Sequence, residues 1–183
     1  TGLMLWKKQY EQLARLLLNK NSSSAVEAIM GVGKTYYMKK ALSNFMADGK
    51  TLLFNIWPDP VANTNITDIA QGSRHIFGQI ANAKHINRSS FNSIDGLETF
   101  HILMQRCIDS RQQMNATQSD MQSLELKLFI FLSETSGDEF SDSILTGYTW
   151  EQRKRWQLFS NILTLIKEKG HASIDELHAE SCP

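Results

Sequence analysis

The chain has 183 residues, 42% of them hydrophobic and 21% charged, an ordinary globular composition with length enough for one well-buried core. Lys plus Arg and Asp plus Glu both number 19, so no global charge excess advertises nucleic acid, a membrane surface or an acidic partner, although a local basic groove stays open. Cys107 and Cys182 stand far apart with no CxxC and no His spacing for zinc, and the longest apolar run, Leu128 to Leu132, is far too short to span a bilayer. The expectation is a cytoplasmic protein without membrane contact, a bacterial protein secreted into a host cell fitting the same reading. The sequence opens on Thr1 and stops soon after a motif that normally sits mid-domain, which reads as a fragment of a longer chain with no legible signal peptide.

Leu3 to Leu18 carries Leu3, Trp6, Tyr10, Leu13, Leu17 and Leu18 at helical spacing with Lys and Arg between them, a helix with a wet face. Asn19 to Ser24 reads as a loop, Ala25 to Ile29 as a short strand and Met30 to Gly33 as a glycine-rich turn. Thr35 to Asp48 predicts a helix closed by Gly49 in a left-handed cap, and Thr51 to Trp57 the clearest strand, stopped by Pro58-Asp59-Pro60. Asn65 to Gln79 reads as helix, while Ile80 to Ile86 fits helix or strand equally. Ile94 to Arg111, opened by a Ser93 cap, is helical, with Leu97, Phe100, Leu103, Met104 and Cys107 on one face. Gln112 to Thr117 reads as a short strand, Ser119 to Glu134 as a helix, and Thr135 to Asp142 as a polar loop. Trp150 to Lys169 is a strongly amphipathic helix ending at Gly170, with His171 to Glu176 as a final strand. Alternating strands and helices argue for an α/β domain with a mainly parallel central sheet flanked by helices. Residues 1–24 form a leading helix and linker, and 25–183 the domain.

The segment Ala28-Ile29-Met30-Gly31-Val32-Gly33-Lys34-Thr35 has the wording of a phosphate-binding P-loop. Glycines there let the backbone wrap the phosphates so that successive N–H groups point inward, and the following helix presents its positive end. Met30, Gly31, Val32 and Gly33 supply the cradle, Lys34 reaches the β- and γ-phosphates, and the Thr35 hydroxyl ligates magnesium. Ala28 stands where the first glycine is usual. A match of this form arises by chance in about one chain in a hundred of this length. The expected ligands are ATP and Mg²⁺.

A triphosphate site also needs a carboxylate for the magnesium shell and a group that positions water. Asp175-Glu176-Leu177-His178 offers both: Asp175 for the magnesium shell, Glu176 to orient or deprotonate the attacking water, and His178 to sense the γ-phosphate. The preceding His171-Ala172-Ser173-Ile174 is poorly hydrophobic for a buried central strand, and an exposed acidic pair is the bland alternative.

Together the P-loop and the Asp175-Glu176-Leu177-His178 box resemble motifs I and II of superfamily-2 helicases of the DExH type. Met30 to Thr35, Ala47-Asp48-Gly49-Lys50, Phe77-Gly78-Gln79, and Thr117 followed by Gln122 to Lys127 are further similar to very large helicase-like proteins of fungi, plants and intracellular bacteria. The resemblance implies the first RecA-like domain, a three-layer P-loop ATPase fold, working with a second RecA-like domain. It implies Pro58 and its neighbours at the motif Ia position, Thr117 at an Ib-like position, and Gln9, with Gln12 as alternative, as the adenine-reading glutamine. The loops at Pro58 and Thr117 would line a nucleic-acid path, yet Trp57-Pro58-Asp59-Pro60 has no basic residue. The SecA preprotein-translocase motor is a second resemblance, with unfolded polypeptide as its substrate, and a nucleotide-dependent scaffold without hydrolysis is the competing class. Trp150, Trp156, Phe159 and Leu163 read as core or interface, Arg153-Lys154-Arg155 as a solvated helix face, and His75, His85 and His101 as surface or satisfied histidines rather than metal ligands. Cys107, Cys182 and Ser173 have no base in view for nucleophilic catalysis.

Overall fold

Leu52–Trp57 forms β1, whose six residues are all buried. A strand of alternating faces with no wet side belongs in the middle of a sheet covered on both surfaces. In the computed structural model, which describes residues 6–18, 38–46, 48–77, 84–86, 88–135 and 149–174, β1 holds that position. Its neighbours are β3 (Met114–Thr117) and β4 (Gly170–Ile174), with β2 (Lys84–His85) beyond β3, in the order β2-β3-β1-β4. All three pairings are parallel, with Trp57 opposite Thr117 and Ile56 opposite Ile174. Parallel neighbours require long crossovers. Here these are α3 (Ala62–Phe77) and α4 (Ile94–Asp109) between β1 and β3, then α5 (Gln118–Thr135) and α6 (Trp150–Lys169) between β3 and β4. Among the described residues two helices precede the sheet, α1 (Lys7–Leu18) and α2 (Lys40–Met46), and α1 touches α2. The α/β class with a parallel sheet is therefore as expected.

The main core lies on the face of β1 that carries Leu52, Phe54 and Ile56. Against it pack Leu97, Phe100 and Met104 of α4, Leu124 and Phe131 of α5, and Phe159 and Ile162 of α6. Phe91 meets Phe100 edge to face at 5.0 Å, and Phe131 stacks on Phe159 at 5.5 Å. Full burial of each such side chain contributes about 1.5–3 kcal/mol, which makes this layer the main source of stability. On the opposite face Leu53, Asn55 and Trp57 alternate with that set. There α2 contacts β1, and Ala62 and Ile66 of α3 pack on Trp57.

Local signals explain most boundaries. The Ser93 hydroxyl caps α4 by accepting from Gly96 N–H at 3.1 Å. Gly49 has φ +80°, the left-handed turn expected there, and Asp48 Oδ1 accepts from both Lys50 and Thr51 N–H at 2.8 Å, folding the chain into β1. The helix α6 opens on an unanticipated capping box, in which Thr149 and Gln152 satisfy each other's backbone N–H. It runs straight into β4 at Gly170, where a Cβ would lie 2.4 Å from Ile166 O.

Several expectations are corrected. In α1, Leu13 is buried, but Trp6 (79% exposed), Tyr10 (63%) and Leu18 (84%) stand in solvent, so helical spacing there does not mark a covered stripe. Of the two alternatives open for Ile80 to Ile86, the described part takes the strand, β2. The helix α5 starts one residue earlier than expected, at Gln118, because the Thr117 hydroxyl accepts from Asp120 N–H at 3.0 Å and caps it. The poorly hydrophobic β4 is half-exposed and lies at an edge among the described strands, which removes the need for an apolar sequence. The expected strand Ala25 to Ile29, the turn Met30 to Gly33 and the loop after Thr135 lie outside the described residues.

Candidate functional site

In an open parallel α/β sheet, ligands bind beyond the carboxyl ends of the strands. Register puts Trp57, Thr117 and Ile174 at one such edge, and residues 58–61 and 118–120 leave the sheet there. Ile174 directly precedes Asp175 in the chain. The residues expected to hold nucleotide and magnesium, Ala28, Met30, Gly31, Val32, Gly33, Lys34, Thr35, Asp175, Glu176 and His178, lie outside the described residues.

Gln9 is described. Its side chain is 7% exposed, and Oε1 accepts from Trp6 N–H at 2.9 Å, so it is a buried residue that satisfies the first turn of its own helix rather than a solvated one.

The loop after β1 has Trp57 and Pro58 buried and Asp59 exposed. The Asp59 Oδ2 accepts from Ser119 N–H at 3.3 Å, at the start of α5. Desolvation alone would raise the Asp59 carboxyl. Hydrogen bonds from the Ser119 side chain and backbone and from the Thr117 side chain outweigh it and hold the group below the ordinary carboxylate value. Asp120 is buried and accepts from Arg88 N–H at 3.1 Å. The two loops read as Ia and Ib positions are thus tied to each other, with Thr117 spent as a helix cap and a carboxylate link.

Beneath them runs a buried polar layer that the sequence reading missed. Asn55 Nδ2 donates to Gln113 Oε1 at 2.6 Å, and Trp57 Nε1 donates to Asn115 Oδ1 at 3.1 Å. Asn55, Gln113 and Asn115 are all fully buried. Gln113 Nε2 and Asn115 Nδ2 have no hydrogen-bond partner among the described residues. Lys39, also buried, donates from Nζ to Ile56 O at 3.2 Å and sits 3.5 Å from the centroid of the Trp57 ring. Met38 and Lys39 adopt π-helical geometry directly before α2, a local widening frequent at functional sites. The available signal was Asn55 inside the otherwise apolar Leu52–Trp57, and the period-two spacing of Gln113 and Asn115.

The basic cluster of α6 is largely committed elsewhere. Lys154 pairs with Glu98 at 3.1 Å, and Arg155 Nη2 donates to Asn92 O at 3.0 Å, both tying α6 to the start of α4. The cavity of about 650 Å³ beside them is lined by Asp95 and Glu151 as well as Lys154 and Arg155, so it favours neither sign of ligand. Trp150 is 64% exposed while Phe159 is buried. Among the described residues no group of three His, Cys, Asp or Glu is placed to hold a metal, and no described helix is long and apolar enough to cross a membrane.

The class these features define is a parallel α/β domain with its loops gathered over the carboxyl edge of the sheet. Comparisons with protein-family models, with curated proteins and with solved structures find no match for the chain.

Proposed function

We infer that this chain is the first, RecA-like motor domain of a helicase-like ATPase. The observation that carries the reading is the run Ala28 to Thr35, with its Gly-x-Gly-Lys-Thr wording immediately upstream of α2 and of a parallel sheet. Two features of the fold support it. The loops after β1 and β3 and the chain leaving β4 toward Asp175 emerge at one edge of that sheet. Helices also cover both faces of β1, as a three-layer nucleotide-binding domain requires. In this reading Lys34 neutralises phosphate charge, Thr35 and Asp175 hold magnesium, Glu176 aligns water for in-line attack on the γ-phosphate, and His178 registers whether that phosphate is present. Magnesium would supply charge neutralisation between the phosphate oxygens. A second RecA-like domain would complete the site.

One observation favours the competing reading of a nucleotide-dependent scaffold, or a motor for a substrate other than nucleic acid such as unfolded polypeptide. The loop at Pro58 carries no basic residue, and Asp59 is engaged by Ser119. Mg²⁺-ATP binding and turnover, measured with poly(U) RNA, single-stranded DNA or reduced, unfolded lactalbumin, separates these. Lys34→Ala should abolish binding and Glu176→Gln should retain binding while losing turnover. Turnover untouched by both substitutions sinks the motor assignment, and binding without turnover selects the scaffold.

A further inference from the structure

Lys39 follows the P-loop by four residues and is the point at which the chain between that loop and α2 touches the sheet in two ways at once. Its ammonium is bonded to Ile56 O and lies over the face of Trp57. Both targets sit at the last turn of β1 before the loop at Pro58. Trp57 in turn donates to Asn115 of β3, and Asp59, two residues on, accepts from Ser119 after β3. A buried ammonium needs partners to offset its lost hydration. Among the partners of Lys39 are a carbonyl dipole and an aromatic face, and a cation–π contact places the charge over the ring. Lys39, the residue directly before α2, therefore joins that point of the chain to the last two residues of β1, so a displacement there is felt at Ile56 and Trp57 first.

We propose that Lys39 is a positioning residue that transmits the state of the nucleotide from the P-loop to the loops at Pro58 and Ser119, acting through Trp57. The proposal rests on the nucleotide-binding reading above. Phosphate held by backbone N–H groups at Gly31 to Thr35 pulls on the chain that carries Lys39. Lys39 alters its hold on Ile56 O and the Trp57 ring, and the linked pair of loops moves as a unit because Asp59 and Ser119 join them.

The test uses the whole chain labelled with fluorotryptophan, whose four tryptophans give four fluorine NMR resonances. Trp57→Phe identifies the Trp57 signal. Magnesium with a non-hydrolysable ATP analogue is the probe, and its affinity is measured separately by calorimetry. The Trp57 resonance should shift on saturation with the analogue. In Lys39→Met the affinity should change by less than about threefold, under the 1.4 kcal/mol that a tenfold change represents, while the Trp57 shift is lost. Lys39→Arg, which keeps a charge and a donor, should restore it. Lys39→Gln, a donor without charge, serves if Lys39→Met does not fold, with the same loss expected. A purely structural lysine would alter the melting temperature without separating affinity from the ligand-dependent shift. If the analogue binds and Trp57 either does not respond or responds equally in Lys39→Met, this proposal is overturned and the nucleotide reading survives. If no analogue binds the unsubstituted chain, both are overturned.

Discussion

Replacing Asn55 by Leu gives the sharpest test of the buried polar layer. The Asn55 amide donates to Gln113 Oε1 at 2.6 Å, with both residues fully buried. Among the described residues Gln113 Nε2 has no partner, so removing Asn55 leaves neither end of the Gln113 amide a partner among them. An abandoned buried acceptor costs about 1–3 kcal/mol, and the bond itself contributes about 1 kcal/mol net. Part of that loss is offset by the burial of an added leucine side chain. The expected cost is about 2 kcal/mol, or roughly 4–8 °C in melting temperature for a domain of this size. Gln113→Met alone should cost a similar amount, since Asn55 loses an acceptor. The double variant should cost less than the sum of the singles, because neither replacement then strands the other's amide. Urea unfolding followed by far-ultraviolet circular dichroism, with the four proteins arranged as a double-mutant cycle, should give a coupling of about 1–3 kcal/mol. A double variant as destabilised as the sum of the singles refutes the reasoning, for then the two amides do not depend on each other.

Gly170→Ala should destabilise by about 1–3 kcal/mol, read by the same unfolding assay, because a Cβ there would lie 2.4 Å from Ile166 O and must displace backbone at the junction of α6 and β4. The Asp59 carboxyl, depressed in the folded chain by bonds from Ser119 and Thr117 against a desolvation that raises it, stabilises above its unfolded pKa and loses that contribution as pH falls through its lower folded value. The group is exposed, so the stability effect is small. The direct check is carbon NMR titration, in which Ser119→Ala should raise the Asp59 pKa, and an unmoved titration would remove the Ser119 hydroxyl as a cause while leaving its backbone N–H.

Elements governed by local chemistry were legible in the sequence. Ser93 caps α4 where a cap was expected, Gly49 takes the left-handed conformation expected of it although α2 ends at Met46 rather than Asp48, and α6 spans Trp150–Lys169 as its apolar spacing indicates. The Thr149-x-x-Gln152 capping box was equally readable and was passed over. Features that depend on partners distant in sequence were not legible. Nothing local distinguishes Leu13, which is buried, from Tyr10, which is exposed on the same helix. Thr117 was legible as the end of a strand, and its cap on α5 is local, but only pairing of β3 with β1 brings it beside the loop that carries Asp59. The proposed nucleotide site rests on motif wording at Ala28 to Thr35 and Asp175 to His178. The buried polar layer is built from side chains 58 residues apart, Asn55 with Gln113 and Trp57 with Asn115, which no window along the chain could pair.

The linkage of Asp59 to Ser119 bears on which polymer, if any, such a motor would move. A path for a phosphate backbone needs donors and cations turned outward from the loops over the sheet edge, since phosphate contacts supply most of the affinity. Here the first loop offers a carboxylate of lowered pKa, and the backbone donor of the second, Ser119 N–H, is already directed at that carboxylate. Breaking the link to free Ser119 would leave an ionised Asp59 beside the incoming phosphate, a like-charge juxtaposition that opposes binding. Asp59→Asn should therefore increase any stimulation by poly(U) RNA if a nucleic-acid path runs over these loops. An unfolded polypeptide, whose backbone offers N–H groups to a carboxylate, meets no such penalty, and its stimulation should fall with the same substitution. The opposite signs expected for one substitution make Asp59 the residue that decides between the two substrates.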